Sequence, residues 1–234
     1  MTAFLSTLVS AAIPELPWPA WLAISFLAGS IPFGLLIARA KGVDIRAHGS
    51  GNIGATNVGR VLGRKFGIAC FALDALKGAI PTMLAGLSRG AFGTSPSELA
   101  AGDLWWWLAV AVASLLGHMF SPWIGFKGGK GVATGFGALA AMWTPLTVPA
   151  AVALATWLAA VKISRTVSIA SIAGALAVPI AVGARIALSD DAKASLAAET
   201  PTLAVASAVA ILVVWKHRSN LVRLVRGEEL KVKA

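Results

Sequence analysis

The sequence predicts an all-α, polytopic membrane protein of about seven transmembrane helices, with its N-terminus outside and its C-terminus in the cytoplasm. Three observations carry this. Of the 234 residues, 57% are hydrophobic and only 13% charged, about half the roughly 25% charge of a soluble domain. The apolar residues gather into long runs with few charges, the signature of membrane-spanning helices. The basic residues fall mainly in alternate short connections between those runs, as the positive-inside rule requires.

Spans fit at 18–39, 66–88, 104–125, 132–145, 146–161, 168–188 and 201–216. The fourth and fifth are short and meet at the Trp143–Pro145 turn, so five or six spans also fit. Pro32, Pro81 and Pro179 lie within the runs and predict kinks. With the N-terminus outside, every Lys and Arg except Lys77, Arg89, Arg185 and Lys193 falls on the inner side, from Arg39 to Lys233. Glu15, Glu98, Asp103, Asp190, Asp191 and Glu199 fall outside. Trp18, Trp21, Trp105, Trp106, Trp107 and Trp143 are expected at outer span ends, and Trp123 and Trp215 at inner ends, as an aromatic belt. The N-terminus has no basic leader region, so a cleaved signal peptide is not expected. The whole of 1–234 reads as one integral membrane domain.

The formal charge of +10 suggests nucleic acid as a partner, but its placement in the short connections between apolar runs follows the positive-inside rule instead, and the basic tail after the last span suits contact with anionic membrane lipids. The single cysteine, Cys70, has apolar neighbours, so it reads as a packing residue; no disulfide or metal site is expected.

Four unusual polar segments, 41–65, 125–131, 162–168 and 216–229, are all assigned to the inner side. In the first, Gly49-Ser50-Gly51-Asn52-Ile53-Gly54-Ala55-Thr56-Asn57 runs on to Arg60. Its glycines let backbone N–H groups turn toward an anion, Ser50, Thr56 and Asn57 add donors, and Arg60 can fork onto phosphate oxygens. The second, Gly125-Phe126-Lys127-Gly128-Gly129-Lys130-Gly131, enters an apolar helix. The amides of Gly128 and Gly129 and the Lys130 ammonium suit phosphate, although the spacing is not that of a nucleotide-binding loop. Gly131 and Gly135 would equally serve close helix packing. The third, Lys162 to Ser168, reads alone as a connector. In the fourth, His217 and Asn220 share a face if the last span continues as a helix. Asp74 and Lys77, three residues apart in the second span, are expected to pair. His118 reads equally as an interfacial or a site-lining residue.

Taken together, these segments resemble the bacterial acyl-phosphate:glycerol-3-phosphate acyltransferase family. The resemblance rests on Gly29-Ser30-Ile31-Pro32-Phe33-Gly34, the 49–57 run, Leu73-Asp74-Ala75-Leu76-Lys77-Gly78, Gly117-His118-Met119, the 125–134 run, Val167-Ser168-Ile169-Ala170-Ser171 and His217-Arg218-x-Asn220, in that order, over about 27–229. It implies a seven-helix inner-membrane enzyme with a cytoplasm-facing site. Its substrates would be acyl phosphate and glycerol 3-phosphate, its products lysophosphatidic acid and phosphate, and it would need no cofactor. It assigns Ser50, Lys130, His217 and Asn220 to catalysis, and Arg60 and Ser168 to substrate binding, with Thr56 and Asn57 in the phosphate-binding stretch. Ser219 stands where many members carry glutamate, and the 89–103 and 189–200 connections are long. The residues themselves add that no His-x4-Asp pair exists: the fifth residues after His48, His118 and His217 are Ile53, Trp123 and Val222. The base is then His217 or a substrate phosphate oxygen. An organic-anion transporter is the alternative reading, opposed by the gathering of polar groups on one face.

Overall fold

The computed structural model describes residues 13–232; the first twelve residues and Lys233, used above for the leader and charge readings, lie outside the described residues. Among the described residues all regular structure is helical. α1 (Trp18–Ser30) carries a proline in its first turn, where the missing N–H leaves no bond unmade. It stops before Pro32, which cannot continue the hydrogen-bond ladder, and α2 (Phe33–Arg39) resumes beyond the break. α3 (Ala55–Leu62) follows, then α4 (Arg64–Ser88), α5 (Ala101–Met119), α6 (Val132–Ala141), α7 (Thr147–Ser164), α8 (Val167–Ala187), α9 (Ala192–Lys216) and α10 (Arg218–Val225). Pro81 and Pro179 lie inside unbroken α4 and α8.

Among the described residues, six segments are long and apolar enough to cross a membrane: Trp18–Arg39, Arg64–Ser88, Ala101–Ile124, Thr147–Ser164, Val167–Ala187 and Ala192–Lys216. The expected fourth span is the ten-residue α6, only about 15 Å long against a hydrocarbon thickness of about 30 Å. Left-handed Gly125 (φ 63°) and Gly131 (φ 81°) fold 125–131 back on the end of α5. α6 still connects the two ends of the bundle. Gly131 packs on Leu115 and Met119, and the Trp143 carbonyl, just beyond α6, accepts 2.6 Å from Gly93 N–H.

The last span begins earlier than composition indicated. Glu199 is 5% exposed and meets Arg185 at 2.8 Å, while Arg185 also donates to Pro145 O. This pairing lets the charged stretch 192–200 join the packed helix.

Cross-links between helices fix their directions. Trp18 donates to Asp103 (2.9 Å), Ser25 to Val110 O (2.8 Å) and Ser121 to Ser30 O (2.7 Å), so α1 and α5 run parallel. Trp21 donates to Ser88 (3.1 Å) and Lys77 to Ile31 O (2.6 Å), so α4 runs the other way against α1. Backbones approach closely where side chains vanish: a Cβ on Gly29 would strike Ser114, and one on Gly78 would strike Thr134. Such small-residue contacts let helices pack without a water-driven force.

The expected aromatic belt is only partial. Trp105, Trp106, Trp123, Trp143 and Trp215 are exposed, whereas Trp18, Trp21 and Trp107 are buried in the core. Trp107 fits because its indole N–H donates 2.8 Å to Thr82 O, the partner that a buried indole requires.

Candidate active site

All four polar segments meet at one end of the bundle, around a cavity of about 500 Å³. Three helices start at its mouth. Gly54, Ala55 and Thr56 open α3, Gly131 and Val132 open α6, and Val167 and Ser168 open α8; all seven line the cavity. Each N-terminus directs unpaired N–H groups and a partial positive charge toward the space ahead of it. Arg60, Lys130 and Arg223 add full charges on the same walls. The result is a site built for anions.

The first loop is shaped from within. Asn57 is 1% exposed; its Oδ1 accepts from Ser50 N–H (2.8 Å), and its Nδ2 donates to Ile45 O, His48 O and Asn52 O (2.9–3.2 Å). Its side chain is therefore engaged by the loop backbone, whereas the sequence reading expected it to face an anion. Ser50 and Thr56 stay exposed at the mouth. Gly49 (φ 61°) must be glycine, since a Cβ would meet Asn57 Oδ1.

Gly128 and Gly129 also differ from expectation. Their N–H groups donate to Met119 O and His118 O, each at 3.2 Å, so these amides are not free for phosphate, and neither glycine lines the cavity. Their contribution is to carry Lys130 into it.

Lys130 donates to Asn220 Oδ1. Burial pulls its pKa down to about 8, opposed by the Glu229 charge and aided by Arg223 and Arg60. The helix break falls at His217, between α9 and α10, rather than after a continuous helix. Both His217 (2% exposed) and Asn220 (5%) are held inward by it. His217 Nδ1 lies 2.8 Å from Val213 O; a carbonyl only accepts, so Nδ1 carries the hydrogen and Nε2 keeps a lone pair. Burial draws the His217 pKa down to about 4 against that hydrogen bond, so the ring is neutral at pH 7.

Glu229 organises the opposite wall, and sequence reasoning passed it over. Its carboxylate accepts from Ser168 Oγ (2.8 Å), Asn220 Nδ2 (2.6 Å) and Arg223 Nε (2.9 Å). Burial alone would raise its pKa, but these three donors outweigh burial and hold it below the usual carboxylate range. Gly227 (φ 73°) turns the chain back, and Val232 N–H donates to Arg165 O (2.8 Å), pinning the tail across the start of α8. The only hint in sequence was a carboxylate following a glycine in a basic tail.

Beyond the polar mouth the cavity becomes apolar, between Leu108, Ala111, Leu139, Leu146, Val178 and Val205. From Ser168 to Val178 along α8 is ten residues, or about 15 Å. One end of the cavity thus suits phosphate groups and the other a narrow aliphatic chain.

The chain is similar to known proteins along most of its length. The family model for glycerol-3-phosphate acyltransferase matches residues 19–227. Glycerol-3-phosphate acyltransferases from Geobacter sulfurreducens (42% identical over 212 residues, 91% of this chain and 96% of the relative) and Geobacter metallireducens (45% over 213 residues, 91% and 96%) are similar along nearly their whole lengths. Among solved structures, the integral membrane glycerol 3-phosphate acyltransferase PlsY is similar in its glycerol 3-phosphate form (TM-score 0.77, 36% identity, 92% of this chain and 96% of that chain). Its lysophosphatidic acid form is similar too (TM-score 0.75, 35% identity, 92% and 95%).

Proposed function

The chain belongs to the glycerol-3-phosphate acyltransferase family and is an integral membrane enzyme that acylates glycerol 3-phosphate to lysophosphatidic acid; from this premise we propose that its acyl donor is an acyl phosphate. The observation that supports the donor is one continuous cavity joining a cationic mouth to an apolar lobe. Acyl phosphate has that same shape, a phosphate at the head of an aliphatic chain. Glycerol 3-phosphate adds a second phosphate and the attacking hydroxyl.

In this reading Lys130, Arg60 and the N-termini of α3, α6 and α8 neutralise the two phosphates, while the Arg223 charge is offset by Glu229. Ser50 and Thr56 donate hydrogen bonds to the phosphates, while Ser168, whose one hydroxyl hydrogen goes to Glu229, holds that carboxylate in place. Asn57 shapes the first loop, and Gly128 and Gly129 set the position of Lys130. Asn220 joins Lys130 to Glu229 and orients the ammonium. The acyl chain lies in the apolar lobe, which leaves its carbonyl at the polar boundary.

The 1-hydroxyl oxygen attacks that carbonyl carbon, the ester bond forms, and the carbonyl carbon–phosphate oxygen bond breaks with its electron pair leaving on phosphate. The hydroxyl proton goes to a substrate phosphate oxygen. His217, neutral with a pKa of about 4 in the free protein, is the weaker acceptor for that proton and takes a hydrogen bond through Nε2. Positioning and charge neutralisation then supply the catalysis. Sequence spacing offers neither Ser50 nor Ser168 a base. The fold brings Glu229 to Ser168, but a carboxylate held by three donors is a weak base, so direct transfer stands.

We further assign the site to the cytoplasmic side of a bacterial inner membrane, with α6 completing a seventh, short crossing, on the strength of the basic residues at that end. The donor is tested with purified protein, glycerol 3-phosphate and either palmitoyl phosphate or palmitoyl-CoA. Phosphate and lysophosphatidic acid should appear in equal amounts with the first donor, and neither product with the second. Equal turnover of the thioester would overturn the assignment.

A further inference from the structure

A buried charged cluster beside the site has no part in the chemistry above. Asp74, Lys77 and His118 are 2%, 6% and 5% exposed, at the level where α4 and α5 pass the broken end of α1. Ionisable groups are costly within a membrane-spanning segment unless compensated. Two of these three compensate each other. Lys77 Nζ lies 2.7 Å from Asp74 Oδ1, and the same ammonium donates 2.6 Å to Ile31 O, at the negative end of α1, where a cation is favoured.

His118 is not needed for that neutrality, yet its placement is specific. Its Nδ1 faces Asp74 Oδ1 at 3.7 Å and has no hydrogen-bond partner. The other edge of the ring is filled by Gly129: a Cβ there would run into Nε2, Cε1 and Cδ2. The backbone repeats the contact, since Gly129 N–H donates to His118 O and Gly128 N–H to Met119 O. The segment that delivers Lys130 thus rests on His118 by both ring and main chain, and Asp74 stands behind the ring. Both residues also line the cavity.

We propose that Asp74 and His118 are positioning residues that seat the Gly128–Gly129 turn and so set where Lys130 and the start of α6 meet substrate phosphate. Asp74 backs the ring at 3.7 Å, the ring supports the turn, and Lys77 keeps the group neutral while tying it to α1. Any closer approach of Nδ1 to the carboxylate, or withdrawal from it, moves the ring edge on which Gly129 lies. This rests on the reading of Lys130 as a phosphate ligand.

The test measures glycerol 3-phosphate binding by calorimetry on the full-length protein in nanodiscs, together with KM, kcat and thermal stability. The Lys130→Met control tests the reading itself: undiminished binding would mean that Lys130 is no phosphate ligand. Given that control, His118→Leu should weaken binding and raise KM about tenfold with Tm nearly unchanged. In the His118→Leu background, adding Lys130→Met should then cost much less than it does in the wild type, because the ammonium is already misplaced. Gly129→Ala, which forces a methyl into the ring, should weaken binding similarly, and Gly129→Ala/His118→Ala should recover most of the loss. Unchanged binding in His118→Leu, full additivity with Lys130→Met, or no recovery in the Gly129/His118 pair would each overturn the proposal. Should His118→Leu fail to fold, the Gly129 pair decides.

Discussion

Lys130 provides a measurable consequence of burial. Its pKa in the free protein is about 8, so about half of the molecules carry a neutral Lys130 at pH 8 and about nine-tenths do at pH 9. A phosphate about 4 Å away interacts with the ammonium by roughly 4 kcal/mol per unit charge at an effective dielectric of 20, which raises the bound-state pKa by about three units. The sign follows directly. Binding takes up a proton above about pH 8, so affinity for glycerol 3-phosphate is nearly flat between about pH 7 and 8, where its phosphate (second pKa about 6) is already a dianion. Above about pH 8 it falls about tenfold per unit, roughly 100-fold by pH 10. Titration calorimetry in buffers of different ionisation enthalpy should show an uptake of about half a proton at pH 8 and about 0.9 at pH 9. Lys130→Arg, charged throughout this range, should bind with no pH-dependent uptake. His217, with its pKa of about 4, contributes nothing there. Absence of uptake in the wild type, or equal uptake in Lys130→Arg, would refute the burial argument.

Ala111 lines the far part of the apolar lobe, and Ala111→Phe should cut kcat/KM at least tenfold for 16-carbon donors while sparing 10-carbon ones; equal loss for both lengths would mean that the chain lies elsewhere. Single cysteines at Lys127 and Ser97, both exposed, should label from opposite faces of intact cells, the former only from the cytoplasm; Gly128 is unsuitable because a side chain there would strike His118 and Met119. Direct transfer predicts no acyl-enzyme: protein incubated with labelled acyl phosphate alone and then quenched should show no adduct by mass spectrometry, and a stoichiometric adduct on Ser168 that forms and decays at catalytic rates would defeat it.

The fold was legible wherever composition determines it. Long apolar runs located six spans to within a few residues at most ends, because no other environment solvates such surfaces. Two errors share a cause. The amides of Gly128 and Gly129 read as free for phosphate and the stretch 192–200 as an outer connection, whereas both depend on single contacts: left-handed Gly125 and Gly131 fold the first segment back so that Met119 O and His118 O take those amides, and the Arg185–Glu199 pair draws the second into the bundle. Trp107 shows the same limit. Its type suggests an interface, but a single carbonyl, Thr82 O, accepts from it inside the core.

At the site, the cationic and glycine-rich groups were readable because phosphate demands local clusters of donors, and local clusters survive in sequence. Glu229 was not, because its meaning lies in three partners brought from three places. Ser168 opens α8, Asn220 sits beyond the break at His217, and Arg223 lies one helical turn further on. A carboxylate in a site for anions looks unfavourable until those donors are counted. With Arg223 paired, its negative charge is locally offset, and the carboxylate fixes Asn220 so that Oδ1 faces Lys130. The same reasoning separates His217 from His118. The first holds a lone pair into the cavity because Val213 O takes its hydrogen; the second faces a carboxylate on one side and a glycine on the other. Their sequence contexts, each a histidine at the end of a membrane-spanning helix, are alike, and only the neighbours supplied by other helices give them different work.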